Sequence, residues 1–321
     1  MLSWAPVAVA RTAPDAFAET RLMGRGVNVL GYDPLWTNPA AARFQPRHFQ
    51  VIRDGGFRTV RINLQAFAHM DADGRLDPAW LATLDRMVAA ATRAGLIAIL
   101  DEHDHDPCAK RPDCEAKLSA FWRQIGTRFA KAPPSVLFEM LNEPNGKLDD
   151  QAWNRLLKIE LAEIRRTNPD RNVVVGPAWW NNLDHLDALE LPADDRHLIV
   201  TFHYYEPFTF THQGAAWVPQ YLHLSGITWG SAPELERMAR DFDKVQLWAK
   251  AHDRPILLGE FGAYDKGELA SRVRYTSAVA RAAEARGWAW CYWQFDSDFI
   301  AWDMKQDAWV APIHDALIPS P

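Results

Sequence analysis

No run of 18 or more apolar residues occurs in this 321-residue chain, so a membrane-spanning helix is not expected. No Lys/Arg-rich run occurs either, and 35 basic against 41 acidic side chains leave a formal net charge of -6. A chain of that balance has no stripe of charge to track a phosphate backbone or an anionic bilayer, and nucleic acid and membrane drop out as partners. Gly/Ser-rich and Pro-rich linkers are missing. The length allows one large barrel or two ordinary domains, and without a linker it reads as one. A Gly-rich phosphate loop is missing too, since the first apolar run continues as GVNVLGYDPLW; this removes the main argument for an open, doubly wound nucleotide-binding sheet.

The first residues, MLSWAPVAVARTAPDAFAETRL, hold only a short apolar patch broken by Pro6 and Arg11. They lack the basic stretch and long apolar core of a secretory signal. The expectation is a secreted or periplasmic protein whose signal is not part of this sequence, with a cytoplasmic one left open. Residues 1–22 are expected to form an N-terminal extension packed on a catalytic domain of residues 23–321. Cysteine is scarce, at three. Cys108 and Cys114 share the polar segment DPCAKRPDCEAK, where a short loop disulfide and two free thiols both remain open; a disulfide would imply an oxidising compartment. Cys291 lies in an apolar run and reads as a buried thiol.

What the chain does have is a 48% hydrophobic composition, ample for a large core, and eight short apolar runs. They are RGVNVL (25–30), TVRINL (59–64), LIAILDEH (96–103), SVLFEMLNEP (135–144), NVVVGPAWW (172–180), LIVTFHYYE (198–206), PILLGEFGA (255–263) and WAWCYWQFD (288–296). Each is too short for a typical helix and rich in β-branched or aromatic residues, the pattern of a strand buried on both faces. Amphipathic helical patterns at 77–95, 115–131, 149–168, 233–252 and 268–286 alternate with them, the first and third of these opening on Asp near the cap. Eight such repeats in one chain predict a single-domain α/β fold, the (β/α)8 TIM barrel.

In such a barrel, functional groups gather where the strands end. Arg61, His103, His105, Asn142, Glu143, Trp179, Trp180, His203, Tyr205, Glu260 and Trp293 all fall there. Glu143 alone could be a helix cap. Glu143 after the fourth run and Glu260 after the seventh, brought to one mouth, are the paired carboxylates of glycoside hydrolysis, one acid protonating the leaving oxygen and the other attacking the anomeric carbon or activating water. Pro144 disfavours αR geometry at Glu143 and is expected to hold it extended. Glu139, four residues earlier, needs a buried partner that the sequence does not name. Trp80, Trp122, Trp153 and Trp248 lie in helical patterns and read as packing. Trp36, Trp179, Trp180, Trp217 and Trp229 fall at strand ends or in long loops, where some are expected to stack on sugar rings. The stretch from Tyr205 towards Asp253 is long for a βα loop and is expected to wall the cleft through Phe208, His212 and Trp217 on the aglycone side.

With NEP closing the fourth run, GEFG the seventh, RIN on the second, DEH on the third, HYY on the sixth and YWQF on the eighth, the chain resembles glycoside hydrolase family 5, among the barrel-fold retaining glycosidases. The motifs occur in the family's order over nearly the whole chain. The resemblance implies Glu143 as acid/base, Glu260 as nucleophile, Arg61 and Tyr205 as its support, and Asn142 as the holder of the 2-hydroxyl. It further implies that His103 and His203 bind substrate or tune the carboxylates and that Trp293 forms the floor. The third run continues as DEHDHD and leaves His105 without a role. Endo-action on β-1,4-glucan is the expected activity, without a cofactor or metal and as a monomer acting on a polysaccharide or oligosaccharide, with mannan and exo-acting β-glucosidase activity as alternatives. Two readings of other classes are a metal-dependent barrel hydrolase, with His103 and His105 joined by Asp101, Asp104, Asp106 and His203, and a non-catalytic sugar-binding barrel, which need not keep both carboxylates.

Overall fold

The eight apolar runs close on themselves. In a computed structural model, which describes residues 13–110 and 112–320 without the side chains of His105 and Pro107, they form β1 (Arg25–Val29), β2 (Thr59–Leu64), β3 (Ile97–Glu102), β4 (Val136–Glu139), β5 (Val173–Val175), β6 (Leu198–Tyr204), β7 (Ile256–Phe261) and β8 (Ala289–Tyr292). The strands pair in sequence order, all parallel, and β1 pairs with β8 to complete the barrel. Most strands stop short of the runs that predicted them. The difference is physical: the last residues of those runs leave the ladder to become the rim.

Helices follow the expected signals. Asp77 accepts from the N–H groups of Ala79 and Trp80 to open Pro78–Arg93, and Asp149 accepts from Ala152 N–H to open Asp150–Arg165, so each cap satisfies donors the helix itself leaves unpaired. Pro78–Arg93 is followed by Gly95 at φ +76°, a left-handed conformation that glycine adopts without penalty. The gap after β6 contains two short helical turns, Phe208–Thr211 and Pro219–Tyr221, before the long helix Ala232–His252.

Inside the barrel the residues form layers. Ile99, Leu137, Val174, Ile199, Leu257, Ala289 and Cys291 make an apolar floor, which Ala16 and Met23 of the helix Ala16–Met23 cover from below. Residues 1–12 of the expected N-terminal extension lie outside the described residues. Above that floor Asn28, Arg61, Asn63, Asp101, Glu139 and Glu260 are buried together. Trp80, Trp122, Trp153 and Trp248 are buried in the packing between strands and helices. Cys108 and Cys114 are joined in a disulfide, and Cys291 is a buried free thiol.

Candidate active site

Arg61 is the hub of the charged layer. It is the third residue of β2 rather than its end, fully buried, and its long side chain carries the guanidinium up towards the mouth. Nε and Nη2 clamp the two oxygens of Glu139 at 2.7 and 2.9 Å, Nη1 donates to Glu260 Oε1 at 2.7 Å and Asn28 Oδ1 at 2.9 Å, and Nη2 donates to Asn142 Oδ1 at 2.7 Å. Asp101 Oδ2 is 3.2 Å from Nη2. All five N–H groups of the fork are therefore used. This answers what holds Glu139: its partner is Arg61, in the side-by-side geometry that favours arginine over lysine.

Three carboxylates around one cation leave the layer with more negative than positive charge. Burial pushes the Glu139 carboxyl up against the pull of Arg61. Burial likewise raises Glu260 to about 7, opposed by His203 and Arg61, reinforced by Glu143 and opposed again by the Tyr205 hydroxyl. Tyr205 donates to Glu260 Oε2 at 2.8 Å. Burial pushes His203 down to about 4, opposed by Glu260.

The junction of β6 and β7 places His203. Phe202 pairs with Leu258, but His203 pairs with Glu260, so the register shifts and Gly259 is the extra residue. Such irregularities re-aim side chains at barrel rims. A Cβ on Gly259 would lie 2.4 Å from Thr201 Oγ1 and 3.0 Å from His203 Nε2; only glycine leaves the imidazole its place. His203 Nδ1 is then 2.7 Å from Glu143 Oε1 and 3.5 Å from Glu260 Oε2. Donor atoms of Glu143, His203 and Glu260 all lie within 4.8 Å of one another. Among the described residues this is the donor set that could hold a cation, and it is not the His103-centred set that the sequence suggested.

His103 has another setting. Its Nδ1 is 2.6 Å from Asp101 Oδ2, and its ring stacks on Trp293 at 5.5 Å with an 8° interplanar angle. Asp104 accepts from Phe67 N–H at 2.7 Å, and Asp106 pairs with Lys110 at 3.3 Å on the surface. The side chain of His105 is outside the described residues.

Glu143 corrects one expectation. Its φ is +44°, left-handed rather than extended. Pro144 does exclude αR, yet Asn142 must reach down to Arg61 while Glu143 reaches into the cleft, and the chain meets both demands by turning left-handed. Asn145 Nδ2 donates to Glu143 O at 2.8 Å and Trp180 N–H to Pro144 O at 3.2 Å, which pins the turn. Non-glycine residues in such conformations cluster at functional sites.

A cleft of about 660 Å³ opens above these groups, lined among others by Tyr32, His103, Asn142, Glu143, Trp179, Trp180, His203, Tyr205, Phe208, His212, Trp217, Glu260 and Trp293. Trp180 and Trp217 are 51% and 45% exposed, as a surface for apolar sugar faces requires. Trp179, Trp180 and Asn181 adopt φ of +57°, +63° and +54°. Three successive left-handed residues, at about 1–2 kcal/mol each, form the turn that presents both indoles. Trp36 does not belong to the cleft. It is 3% exposed, donates Nε1–H to Asn63 O at 2.9 Å and packs on Trp80. Trp229 is also buried, against Tyr275. Sequence reasoning passed over Tyr32, whose ring meets Trp293 edge-on at 5.8 Å, and Asn28, whose only signal was a polar residue inside the first apolar run.

A closed (β/α)8 barrel with two facing carboxylates in an aromatic cleft defines the barrel-glycosidase class of architecture. The profile of cellulases, glycosyl hydrolase family 5, matches residues 20–298, and the chain belongs to that family. It is 31% identical over 291 residues to Endoglucanase H of Acetivibrio thermocellus, a match covering 88% of this chain but 30% of that protein, so it spans less than a third of that relative's length. The crystal structure of endoglucanase Cel5A from Thermotoga maritima is 33% identical, with a TM-score of 0.90 over 95% of this chain and 100% of that one. The same enzyme in complex with mannotriose superposes with a TM-score of 0.90 at 32% identity, over 95% of this chain and 100% of that chain.

Proposed function

We propose that this protein is a retaining endo-β-1,4-glucanase in which Glu260 is the nucleophile and Glu143 the acid/base. The observation that carries the reading is the approach of the two carboxylates to within 4.8 Å with His203 between them. Retaining enzymes hold their carboxyls about 5–5.5 Å apart, whereas an inverting pair leaves about 6.5–9.5 Å for a water. Glu260 attacks the anomeric carbon, the bond to the glycosidic oxygen breaks, and Glu143 gives its proton to that oxygen. Glu143 then takes a proton from water, which attacks the same carbon and releases Glu260. Asn142, anchored to Arg61, holds the 2-hydroxyl, while Trp293 and His103 form the floor beneath that sugar. Trp179 and Trp180 on one wall, and Phe208, His212 and Trp217 on the other, face the leaving portion of the chain. The disulfide between Cys108 and Cys114 supports action outside the reducing cytoplasm.

The test is proton NMR of cello-oligosaccharide hydrolysis: the first-formed product is expected to carry the β-anomer, from internal cleavage. An α-anomer formed first would overturn the mechanism, and faster turnover of manno-oligosaccharides would make mannan the substrate, which the mannotriose complex of the related enzyme makes the next to try.

The charge state of Glu260 sets the acid limb. The nucleophile works ionised, its carboxyl stands at about 7, and kcat/KM of the free enzyme is therefore expected to fall about tenfold per unit below that pH. Tyr205→Phe removes a donor to the ionised form, so the limb should move to higher pH; an unmoved limb would show that the hydroxyl does not tune Glu260.

A further inference from the structure

His203 has two ring nitrogens, and only one faces the carboxylates. The other, Nε2, is 3.2 Å from Asn181 Nδ2. An amide nitrogen only donates, so Nε2 must accept, and a neutral imidazole then carries its proton on Nδ1. Nδ1 is 2.7 Å from Glu143 Oε1, so its proton is donated there. We propose that Asn181 is a positioning residue of the reaction: by donating to Nε2 it holds His203 as the Nδ1–H tautomer and aims that hydrogen bond at Glu143. The inference rests on the acid/base role assigned to Glu143 above.

Three features of the backbone converge on this contact. Asn181 is fully buried and at φ +54°, in the left-handed region that asparagine tolerates better than most residues. Its side chain occupies the space left by Gly176, the residue after β5, where a Cβ would lie 2.4 Å from Asn181 Oδ1 and 2.7 Å from its Cγ. Gly259 likewise leaves room beside the imidazole, since a Cβ there would lie 3.0 Å from Nε2 and 3.2 Å from Cδ2. The amide, the ring and the acid thus form a chain across the ends of β5, β6 and β4, and the turn that supplies Asn181 also carries Trp179 and Trp180 onto the cleft wall. A hydrogen bond of fixed direction at one oxygen of Glu143 leaves the other to exchange its proton with the glycosidic oxygen.

The test compares wild type, Asn181→Ala and Gly176→Ala on two cellobiosides, one with an unactivated sugar leaving group and one with dinitrophenolate, which departs without a proton. Both variants are expected to lose about 10- to 100-fold in kcat/KM on the first, a part of what general acid catalysis contributes, and far less on the second. Nitrogen-15 NMR of the imidazoles should find His203 protonated on Nδ1 in wild type and redistributed in Asn181→Ala. Equal losses on both substrates would mark a merely structural role, and an Nε2–H tautomer in wild type would contradict the assignment; either result overturns the proposal. A wild type that cleaves neither cellobioside would instead refute the glycosidase reading on which it rests.

Discussion

Glu260→Gln is expected to lower turnover of cello-oligosaccharides by about 10⁴-fold or more, the scale on which removal of a covalent nucleophile is felt. The substitution is nearly isosteric, so the barrel should keep its stability. Arg61 Nη1 can still donate to the amide oxygen in place of Glu260 Oε1, its acceptor at 2.7 Å. What disappears is the anion that Arg61, Tyr205 and His203 surround. An amide cannot form the glycosyl ester, and no other described carboxylate is placed to replace it: Glu139 is clamped by Arg61 deeper in the barrel, and Glu143 is the acid/base of the proposed mechanism. Glu143→Gln, by contrast, should still release dinitrophenolate at the first step. If Glu260→Gln cleaves as fast as wild type, Glu260 is not the nucleophile and the mechanism is wrong.

Arg61→Met is expected to cost about 3–5 kcal/mol of stability in urea unfolding, in addition to abolishing activity, because it strands buried carboxylates without their cation. Domains are stable by about 5–15 kcal/mol, so the loss is a large fraction of what holds the barrel. Five acceptors from Asn28, Glu139, Asn142 and Glu260 lose the Arg61 donor at once, and Asp101 loses its pair with Arg61. Arg61→Lys should recover only part of the loss, since an ammonium cannot grip Glu139 at two points and also reach Asn142 and Glu260. Combining Arg61→Met with Glu139→Leu should recover part of the stability without restoring activity, because one stranded carboxylate is then replaced by apolar volume while Asp101 and Glu260 still lack their cation. An unchanged urea midpoint for Arg61→Met would show that the charged layer is not organised as described.

Much of this site was legible because a barrel brings strand ends together whatever lies between them. Glu143 and Glu260 are far apart in sequence, yet each closes a strand-like run, and that position alone predicted their meeting. The same rule misplaced Arg61: it was read as ending its run, and the structure puts it inside β2, where side-chain length makes up the height. The rule also over-counted tryptophans. Trp36 follows β1 as Trp179 follows β5, but Trp36 turns inward to donate to Asn63 O whereas Trp179 is lifted outward by a left-handed turn. No local pattern distinguishes the two, because the sign of φ depends on what the neighbouring loops leave room for.

The sequence by itself determined the eight-fold alternation, the family and the two carboxylates, because period, strand length and motif order are local properties written along the chain. Tertiary structure alone decided that Glu139 belongs to Arg61 and that Cys108 is bonded to Cys114. It also decided that Glu143 is left-handed and that Asn181 stands behind His203. Each of these is a matter of distance across a closed sheet, where a one-residue register shift at Gly259 or the want of a Cβ at Gly176 settles which atoms touch.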